Sequence, residues 1–284
     1  MGNAFRLQAD PARMTVSAAP SVVRSGEHCS MAELQQLMGY EPGAASAGEV
    51  VLLPMRRLHA GDSLYHEGAP AQAIYFVRAG TFKTYRTAED GYEQVLGFAG
   101  RAEVLGFDSV CMDRHPTAAV ALEESSVYVV LVRDLFTTGP RSPTLDRIVA
   151  IAVSRALTQR GDLADLMAAV AAEVRLARFL VQLSKRMAGC GQSPRRFHLR
   201  MSRRDIASHL GVAHETVSRS FSALAGWGLV QVDNREVEII DMERLKVLAR
   251  STRGTADEPR RVNGSPLSLV QPAKQPRSMC EASP

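Results

Sequence analysis

Four polar residues near the C-terminal third of the chain have the types and spacing needed to read DNA bases. Glu215 and Arg219 lie four positions apart, with His214 and Ser218 beside them, so a helix places all four on one side. A guanidinium can bond both O6 and N7 of guanine, a carboxylate can accept from N4 of cytosine, and a serine hydroxyl suits several partners. His214 could donate to a phosphate. The alternative is an exposed helical ion pair between Glu215 and Arg219.

The apolar residues around this group predict two short helices that enclose a turn. Ile206, Leu210, Val217, Phe221 and Leu224 fall at spacings of four, seven, four and three, with Gly211 at the break. Such spacing buries one face of each helix, and a glycine permits the left-handed turn between them. The pattern indicates a helix-turn-helix, a motif whose second helix enters the major groove.

Charge supports a polyanionic partner. The chain has 284 residues and a net charge of +4, which is compatible with nucleic acid but does not require it. Several arginines lie just before and at the start of the helix-turn-helix, as expected for a surface that binds DNA phosphates. They are Arg195, Arg196, Arg200, Arg203 and Arg204. We expect Arg203 to contact phosphate and to contribute equally to all DNA sequences.

Several function classes lack their signatures. The chain has no run of eighteen apolar residues and no signal peptide, so we expect a cytoplasmic protein without membrane contact. The four cysteines are far apart and form no CxxC pair, which argues against a disulfide framework or a zinc site. No Ser-His-Asp set, HExxH motif or phosphate loop is present, so an enzyme is not predicted. The scattered histidines do not have the spacing of a cupin metal site.

Five segments follow from composition and periodicity. Residues 1–30 and 251–284 are rich in small, proline and arginine residues and are predicted to be disordered. Residues 31–142 begin with a short helix and continue as short apolar runs between glycines, which predicts an antiparallel β-roll. Residues 143–172 form a long helix starting at a proline, and residues 173–250 form a winged helix-turn-helix whose wing turns near Asp233 and Asn234. The fold class is therefore α+β.

Two stretches resemble one family. The sequence AGDSLYHEGAPAQAIYFVRAG at 60–80 resembles the opening strands of the cyclic-nucleotide-binding barrel of Crp/Fnr transcription regulators. The helix-turn-helix extends the resemblance to roughly residues 30–250. The segment GFD at 106–108, followed by His115-Pro116, resembles the Fnr branch, as does ETVSR at 215–219. The resemblance implies a dimeric regulator that binds double-stranded DNA and contacts RNA polymerase, the latter through the turn near Glu89 and Asp90.

The family's ligands do not match this sequence well. Glu103 resembles the glutamate that holds the ribose of cyclic AMP, but His115 or Pro116 stands where the phosphate-binding arginine would be. Cyclic AMP binding is therefore not expected, although Arg114 is a neighbouring substitute. The iron-sulfur cluster of Fnr needs four thiolates, whereas this chain offers Cys29 near the N-terminus and Tyr128 at the barrel position.

The cofactor therefore stays unassigned from sequence. Haem remains an alternative because His66 or His115 could ligate iron. Cys111, in the loop after the phosphate segment, could at best add a second cluster ligand. Nothing around Cys29, Cys111, Cys190 or Cys280 marks a reactive thiol, so we expect ordinary buried or exposed side chains.

The long helix is predicted to form the dimer. One face is proposed as its seam, consisting of Leu145, Ile148, Ala152, Arg155, Gln159, Asp162 and Leu166. Two facing Asp162 carboxylates would repel each other, which suggests conditional dimerisation. The other face carries Val149, Val153, Ala156, Leu163, Met167, Val170 and Val174. It either packs on the β-roll or is itself the seam.

The sequence thus predicts a homodimeric regulator of transcription. The resemblance at Glu215, Ser218 and Arg219 implies a palindrome of the TTGAT-N4-ATCAA kind, read by two recognition helices one turn of DNA apart. The resemblance to the Fnr branch implies that the regulator responds to oxygen, redox state or nitrogen oxides. The alternative is a haem- or nucleotide-dependent regulator of the same fold.

Overall fold

Antiparallel strands separated by glycine turns build the N-terminal half. The computed structural model describes residues 28–41, 53–136 and 142–251. The strands are β1 (His28–Cys29), β2 (Leu53–Leu58), β3 (Ser63–Tyr65), β4 (Ala73–Ala79), β5 (Phe82–Thr87), β6 (Glu93–Ala99), β7 (Val104–Leu105), β8 (Ala118–Ala121) and β9 (Ser125–Leu131). The predicted disorder of residues 1–27 and 252–284 lies outside the described residues.

Two sheets face each other in this β-roll. One has the strand order β1-β2-β9-β4-β7, and the other has the order β3-β8-β5-β6. Val77 from the first sheet and Phe82 from the second are fully buried in one apolar cluster. Phe76 from the first sheet is fully buried in a separate cluster. The chain changes sheet at Gly80, whose φ is +92° and where an added Cβ would lie 2.8 Å from the Cα of Ser125. Only glycine fits this corner without strain.

The N-terminal boundary differs from the sequence prediction. Residues 28–30, predicted to be disordered, are structured: His28 and Cys29 pair with β2. Ser30 caps helix α1 (Met31–Leu37) in a capping box with Glu33, where each side chain accepts from the other residue's backbone N–H. Such a cap satisfies two otherwise unpaired donors. The short helix predicted from Met31 is confirmed. It begins two residues after the end of a strand that periodicity alone could not reveal.

A long helix crosses from the β-roll to the C-terminal half. After the short helix α2 (Val132–Phe136), helix α3 runs from Pro143 to Met167 and is capped by the Ser142 hydroxyl. Its inner face buries Leu145, Ile148 and Ala152 in one cluster with Phe76 and Tyr128 of the β-roll. These side chains are at most 7 % exposed, so the chain itself covers this face.

The predicted dimer seam is therefore wrong in its apolar members. Leu145, Ile148 and Ala152 pack on the β-roll of the same chain, and Leu166 is buried in the core of the C-terminal half.

The polar members of that seam also have intrachain partners. Arg155 donates to the Met38 carbonyl, Gln159 donates to Glu103, and the Asp162 carbonyl accepts from Gln182. The periodicity correctly marks a buried face, but the face is covered within one chain. The Asp162 carboxylate itself is exposed, so the proposed repulsion between two such carboxylates stays a prediction.

The opposite face of α3 is exposed and lined by small residues. It carries Ala150, Ser154, Leu157, Gly161 and Ala164, at alternating spacings of four and three. Leu157 is 64 % exposed. This alternation is the heptad spacing that lets two helices pack along a shared seam.

In its described part, up to residue 251, the C-terminal half contains four helices and a small sheet. The helices are α4 (Ala172–Gly189), α5 (Arg203–Leu210), α6 (His214–Gly226) and α7 (Met242–Arg250); the strands are β10 (Arg196–His198), β11 (Val230–Asp233) and β12 (Glu236–Ile239). The sheet has the order β10-β12-β11, so the predicted two-stranded wing gains a third strand. Among the described helices, none is long and apolar enough to cross a membrane.

We predict that Ile148→Ala destabilises the protein by about 2–5 kcal/mol, because it leaves a cavity between α3 and the β-roll. Ile148 is 2 % exposed, whereas Val247 on α7 is 67 % exposed. Val247→Ala is the control and should change the free energy of unfolding by less than about 0.5 kcal/mol. Urea unfolding of both variants measures this difference. Equal losses in the two variants would contradict the assigned inner face.

Candidate nucleic-acid interface

Helix α5 is fixed at both ends by its own sequence. The Ser202 hydroxyl accepts from the Asp205 N–H at 3.1 Å, and the Asp205 carboxylate accepts from the Ser202 N–H at 2.9 Å. This capping box satisfies the first turn. At the other end, Gly211 adopts a left-handed conformation with φ 62°. The resulting turn leads directly into α6, as the sequence predicts.

Helix α6 presents the four residues predicted to read bases. His214, Glu215, Ser218 and Arg219 are all exposed, while Val217 on the opposite face is buried. Glu215 and Arg219 form no ion pair with each other or with any other described residue, and Arg219 lies 3.4 Å from the Thr216 hydroxyl. The geometry thus does not favour the ion-pair alternative. Ala213 precedes the helix without a side-chain cap, so the first backbone N–H groups have no protein side chain bound to them.

Arg203 is held more tightly than a surface arginine. Its guanidinium lies 3.6 Å from the centroid of the Phe221 ring and donates to the Asn234 carbonyl at 2.9 Å. It borders a cavity of about 380 Å³ that also contains Ser218 and Ser222. Its second terminal nitrogen is buried without a hydrogen-bond partner in the described part of the chain. Arg203 therefore connects α5, α6 and the wing, and retains one free donor.

The other arginines of the approach differ in their availability. Arg196 pairs with Glu238 at 2.7 Å, and Arg200 pairs with Glu123 of the β-roll at 3.0 Å. Arg195 donates to the Ile240 carbonyl at 3.4 Å. Arg204 is exposed and forms no ion pair within the described ranges. The predicted basic footprint thus contains structural ion pairs as well as free charges.

The edge of the β-roll docks on α5, a contact that the sequence did not reveal. The buried Ser208 hydroxyl donates to the Glu93 carbonyl at 2.8 Å and accepts from the Val95 N–H at 2.9 Å. Gln94 donates to the Ser208 carbonyl at 2.9 Å, and Lys83 pairs with Asp205 at 3.0 Å. We call this set the β6–α5 contact. Its only sequence signal is that Ser208 is polar at an inward position of an amphipathic helix.

His209 extends the β6–α5 contact into an aromatic cluster. Its ring stacks edge-on against Phe98 and Phe179, with centroids 5.2 and 5.9 Å away. Burial, and secondarily the nearby Arg186 cation, lower the pKa of His209 to about 4. The ring is therefore neutral at physiological pH, and the contact depends on that neutral state.

The interior of the β-roll contains a stack of aromatic rings around His115, one of the two residues that the sequence resemblance aligns with the phosphate-binding arginine of the family. His115 is 2 % exposed and stacks on Tyr65 at 4.0 Å, and Tyr65 stacks on Tyr75 at 5.8 Å. Thr117, which follows Pro116 in the chain, donates its hydroxyl to the Asp108 carboxylate at 3.5 Å. A negative charge at this point would repel a phosphate.

The predicted ligand-holding residues are occupied elsewhere. Glu103 accepts from Gln159 of α3 and pairs with Arg186 of α4, so it is structural and not a ribose partner. Arg114 donates to the Gly68 carbonyl at 2.6 Å. An added Cβ at Gly106 would lie 3.2 Å from the ring of His115, and His66 is exposed on a turn. His115 is buried, and its Nδ1 has no hydrogen-bond partner among the described residues, so a haem could reach this nitrogen only if the surrounding side chains moved.

An iron-sulfur cluster also does not fit. Cys29 is 1 % exposed and hydrogen bonds to Tyr128, at the barrel position where a ligand would be expected; burial raises the pKa of its thiol to about 11. Cys111 is exposed, and no three histidine, cysteine or acidic residues in the described ranges are grouped to hold a metal.

Comparison with known proteins identifies the family. The Crp-like helix-turn-helix domain matches residues 174–248, and the cyclic nucleotide-binding domain matches residues 55–137. The chain is 38 % identical over 192 residues to the transcriptional regulatory protein btr of Bordetella pertussis, covering 68 % of this chain and 79 % of that protein. The chain therefore belongs to the Crp/Fnr family of transcriptional regulators.

Two further relatives agree with this assignment. The fumarate and nitrate reduction regulatory protein of Escherichia coli K12 is 34 % identical over 196 residues, which is 69 % of this chain and 78 % of that protein. The structure of FixK2 from Bradyrhizobium japonicum is 28 % identical with a TM-score of 0.62, covering 71 % of this chain and 99 % of that chain. The Bordetella and Escherichia relatives are, by name, regulatory proteins and not enzymes.

We predict that His209→Phe reduces the acid sensitivity of folding. The ordinary histidine pKa of 6.5 falls to about 4 in the folded chain. Between these values the unfolded state binds more protons, so stability is lost as pH falls. Free energies of unfolding at pH 7.0, 6.0 and 5.0, values chosen to lie roughly across this window, measure the slope. The pKa of Asp205 is lowered below 3.8 by its Ser202 and Lys83 hydrogen bonds, so that group titrates outside this window.

The matched control is His214→Phe, at an exposed position of α6. It should retain the parent's slope, because the substitution leaves His209 and its aromatic neighbours unchanged. Identical slopes for the parent and His209→Phe would contradict a neutral, buried His209.

Proposed function

We propose that this protein is a sequence-specific DNA-binding regulator that inserts helix α6 into the major groove. The observation that carries this proposal is the exposed set His214, Glu215, Ser218 and Arg219, with the carboxylate and guanidinium free of each other. Free polar groups on one helix face are available to base edges. The target is a palindrome of the TTGAT-N4-ATCAA kind, with Arg219 on the guanine and Glu215 on the opposing cytosine.

Arg203 supports the same docking from the side. Its free donor and the adjoining cavity with Ser218 and Ser222 lie between α6 and the wing. We place a DNA phosphate there, because a guanidinium binds phosphate through charge-assisted hydrogen bonds. Since Arg203 also contacts Phe221, its removal should weaken both folding and binding to all sequences.

The protein acts as a homodimer in this proposal, through the exposed face of α3. Ala150, Ser154, Leu157, Gly161 and Ala164 are exposed at heptad spacing, and small residues let two helices approach closely. A two-fold axis along this face would place two α6 helices on two half-sites. This face replaces the one predicted from sequence.

Contact with RNA polymerase is assigned to the turn between β5 and β6. There the Asp90 carboxylate accepts from the Tyr92 N–H at 3.0 Å, and Tyr92 is 50 % exposed. An exposed aromatic beside Glu89 and Asp90 suits a protein partner. We propose a cytoplasmic activator on this basis and on the family relationship.

In our proposal the regulator responds to oxygen, redox state or nitrogen oxides. The support is the relationship to a protein named for fumarate and nitrate reduction. The packing around Cys29 and His115 disfavours a cluster or a haem at those residues. Sensing therefore uses a different chemistry from thiolate-held iron.

We predict that Arg219→Ala weakens binding to a TTGAT-N4-ATCAA duplex by about 1–3 kcal/mol and relaxes discrimination at the guanine. Dissociation constants are measured at one salt concentration for this duplex and for one with both guanines replaced by adenine. Arg244→Ala on α7, also an exposed arginine, is the control and should keep affinity and discrimination. Full discrimination by Arg219→Ala would contradict the assigned base contact.

We predict that Leu157→Glu converts the dimer to a monomer, because two carboxylates would face each other across the seam. Sedimentation at several protein concentrations measures the association. Asp162→Ala serves as control, since Asp162 is exposed but is not one of the five seam residues at heptad spacing, and its removal should leave the dimer constant unchanged. If Asp162→Ala shifts the constant and Leu157→Glu does not, the seam predicted from sequence is the correct one.

A further inference from the structure

A second cavity lies outside the filled β-roll, between the two halves of the chain. It measures about 870 Å³ and is bordered by the β-roll, α3, α4 and the segment around β10. We call it the interdomain cleft. Its volume lies within the range of roughly 300–1,000 Å³ that small-molecule sites occupy. No residue of the Tyr65, Tyr75 and His115 stack borders it, so it is separate from the barrel interior.

The walls of the cleft carry an excess of positive charge. Six arginines line it against two acids, Glu103 and Glu123. Both acids are already neutralised, Glu103 by Arg186 and Glu123 by Arg200.

Three of the arginines form no ion pair among the described residues. Arg101 donates to the Arg78 carbonyl at 3.0 Å, and Arg155 donates to the Met38 carbonyl at 3.1 Å. Arg78 lies beside the Tyr128 hydroxyl. Carbonyl and hydroxyl partners leave the guanidinium charge uncompensated, so an anion in the cleft would gain charge-assisted bonds.

One side of the cleft is apolar. Phe98, Leu183 and Met187 border it; Phe98 and Leu183 are largely buried, and Met187 is the most accessible of the three. A flat aromatic group could pack against this surface while its anionic group reaches Arg78 and Arg101. This combination matches a phosphorylated molecule with an aromatic ring, and a bare anion would leave the apolar side in contact with water.

We propose that the interdomain cleft binds a nucleotide through Arg78, Arg101 and Arg155, with its base against Phe98 and Met187. An occupant would touch the β-roll, α3 and α4 together. It would therefore fasten the sensor half to the DNA-binding half on the same side as the β6–α5 contact, where Phe98 also stacks on His209.

The test is calorimetric titration of the full chain, without DNA, using ADP, GDP, inorganic pyrophosphate and adenosine. We expect ADP or GDP to bind more tightly than pyrophosphate, and adenosine to bind weakest, because both the charge and the base contribute. The double variant Arg78→Gln/Arg101→Gln should weaken nucleotide binding at least about tenfold. Both side chains are exposed, and far-ultraviolet circular dichroism checks that the fold is retained.

The control is Arg86→Gln/Arg244→Gln, which removes the same charge from outside the cleft and should leave nucleotide binding unchanged. Equal weakening by both double variants would show non-specific attraction and overturn the site, as would equal affinity for pyrophosphate and nucleotides or no binding of either. The titration contains no DNA. A failure to bind nucleotide would therefore not contradict the proposed role of α6, which the Arg219→Ala experiment tests.

Discussion

One buried hydroxyl group, that of Ser208, connects the two halves of the molecule. Strand β6 is the outer strand of its sheet, so its outward N–H and C=O groups have no neighbouring strand. An open sheet edge invites pairing with other chains and is usually covered. Here Ser208 bonds the Glu93 carbonyl and the Val95 N–H, so helix α5 completes the edge. Removing either partner would leave a buried polar group unsatisfied.

This arrangement makes the position of α6 depend on the β-roll. Helix α5 is fixed to β6, and the Gly211 turn fixes α6 to α5. The Lys83–Asp205 pair uses the same carboxylate that caps α5, so the helix start and the interdomain contact share one residue. Movement of β6 relative to α3 would therefore carry the base-reading face with it. The β6–α5 contact fixes one relative position of the two halves, because hydrogen-bond donors meet acceptors and opposite charges meet across it. Apolar surface alone would let the two halves slide past each other.

The sequence predicted those features that depend on local spacing. The helix-turn-helix needs only a few apolar positions and Gly211, and the β-roll strands follow from glycine turns; the structure has both. The short strands β1, β7 and β8 were missed because two to four residues carry little periodic signal. The dimer seam was misassigned because α3 has two faces with helical spacing. Which face the β-roll covers is decided by Phe76 and Tyr128, which are distant in sequence.

Ser208 and His209 illustrate the same limit for the site. A serine or histidine on an amphipathic helix is typically solvated, and only the approach of β6 gives these two residues buried partners. The filled barrel follows similarly from packing, since the stack of Tyr65 on His115 joins residues fifty positions apart. With aromatic rings stacked on His115 and the Asp108 carboxylate beside Thr117, the barrel interior does not offer an anion a favourable place. The uncompensated arginines lie instead at the junction of the two halves, where an occupant would act directly on the contact that positions α6.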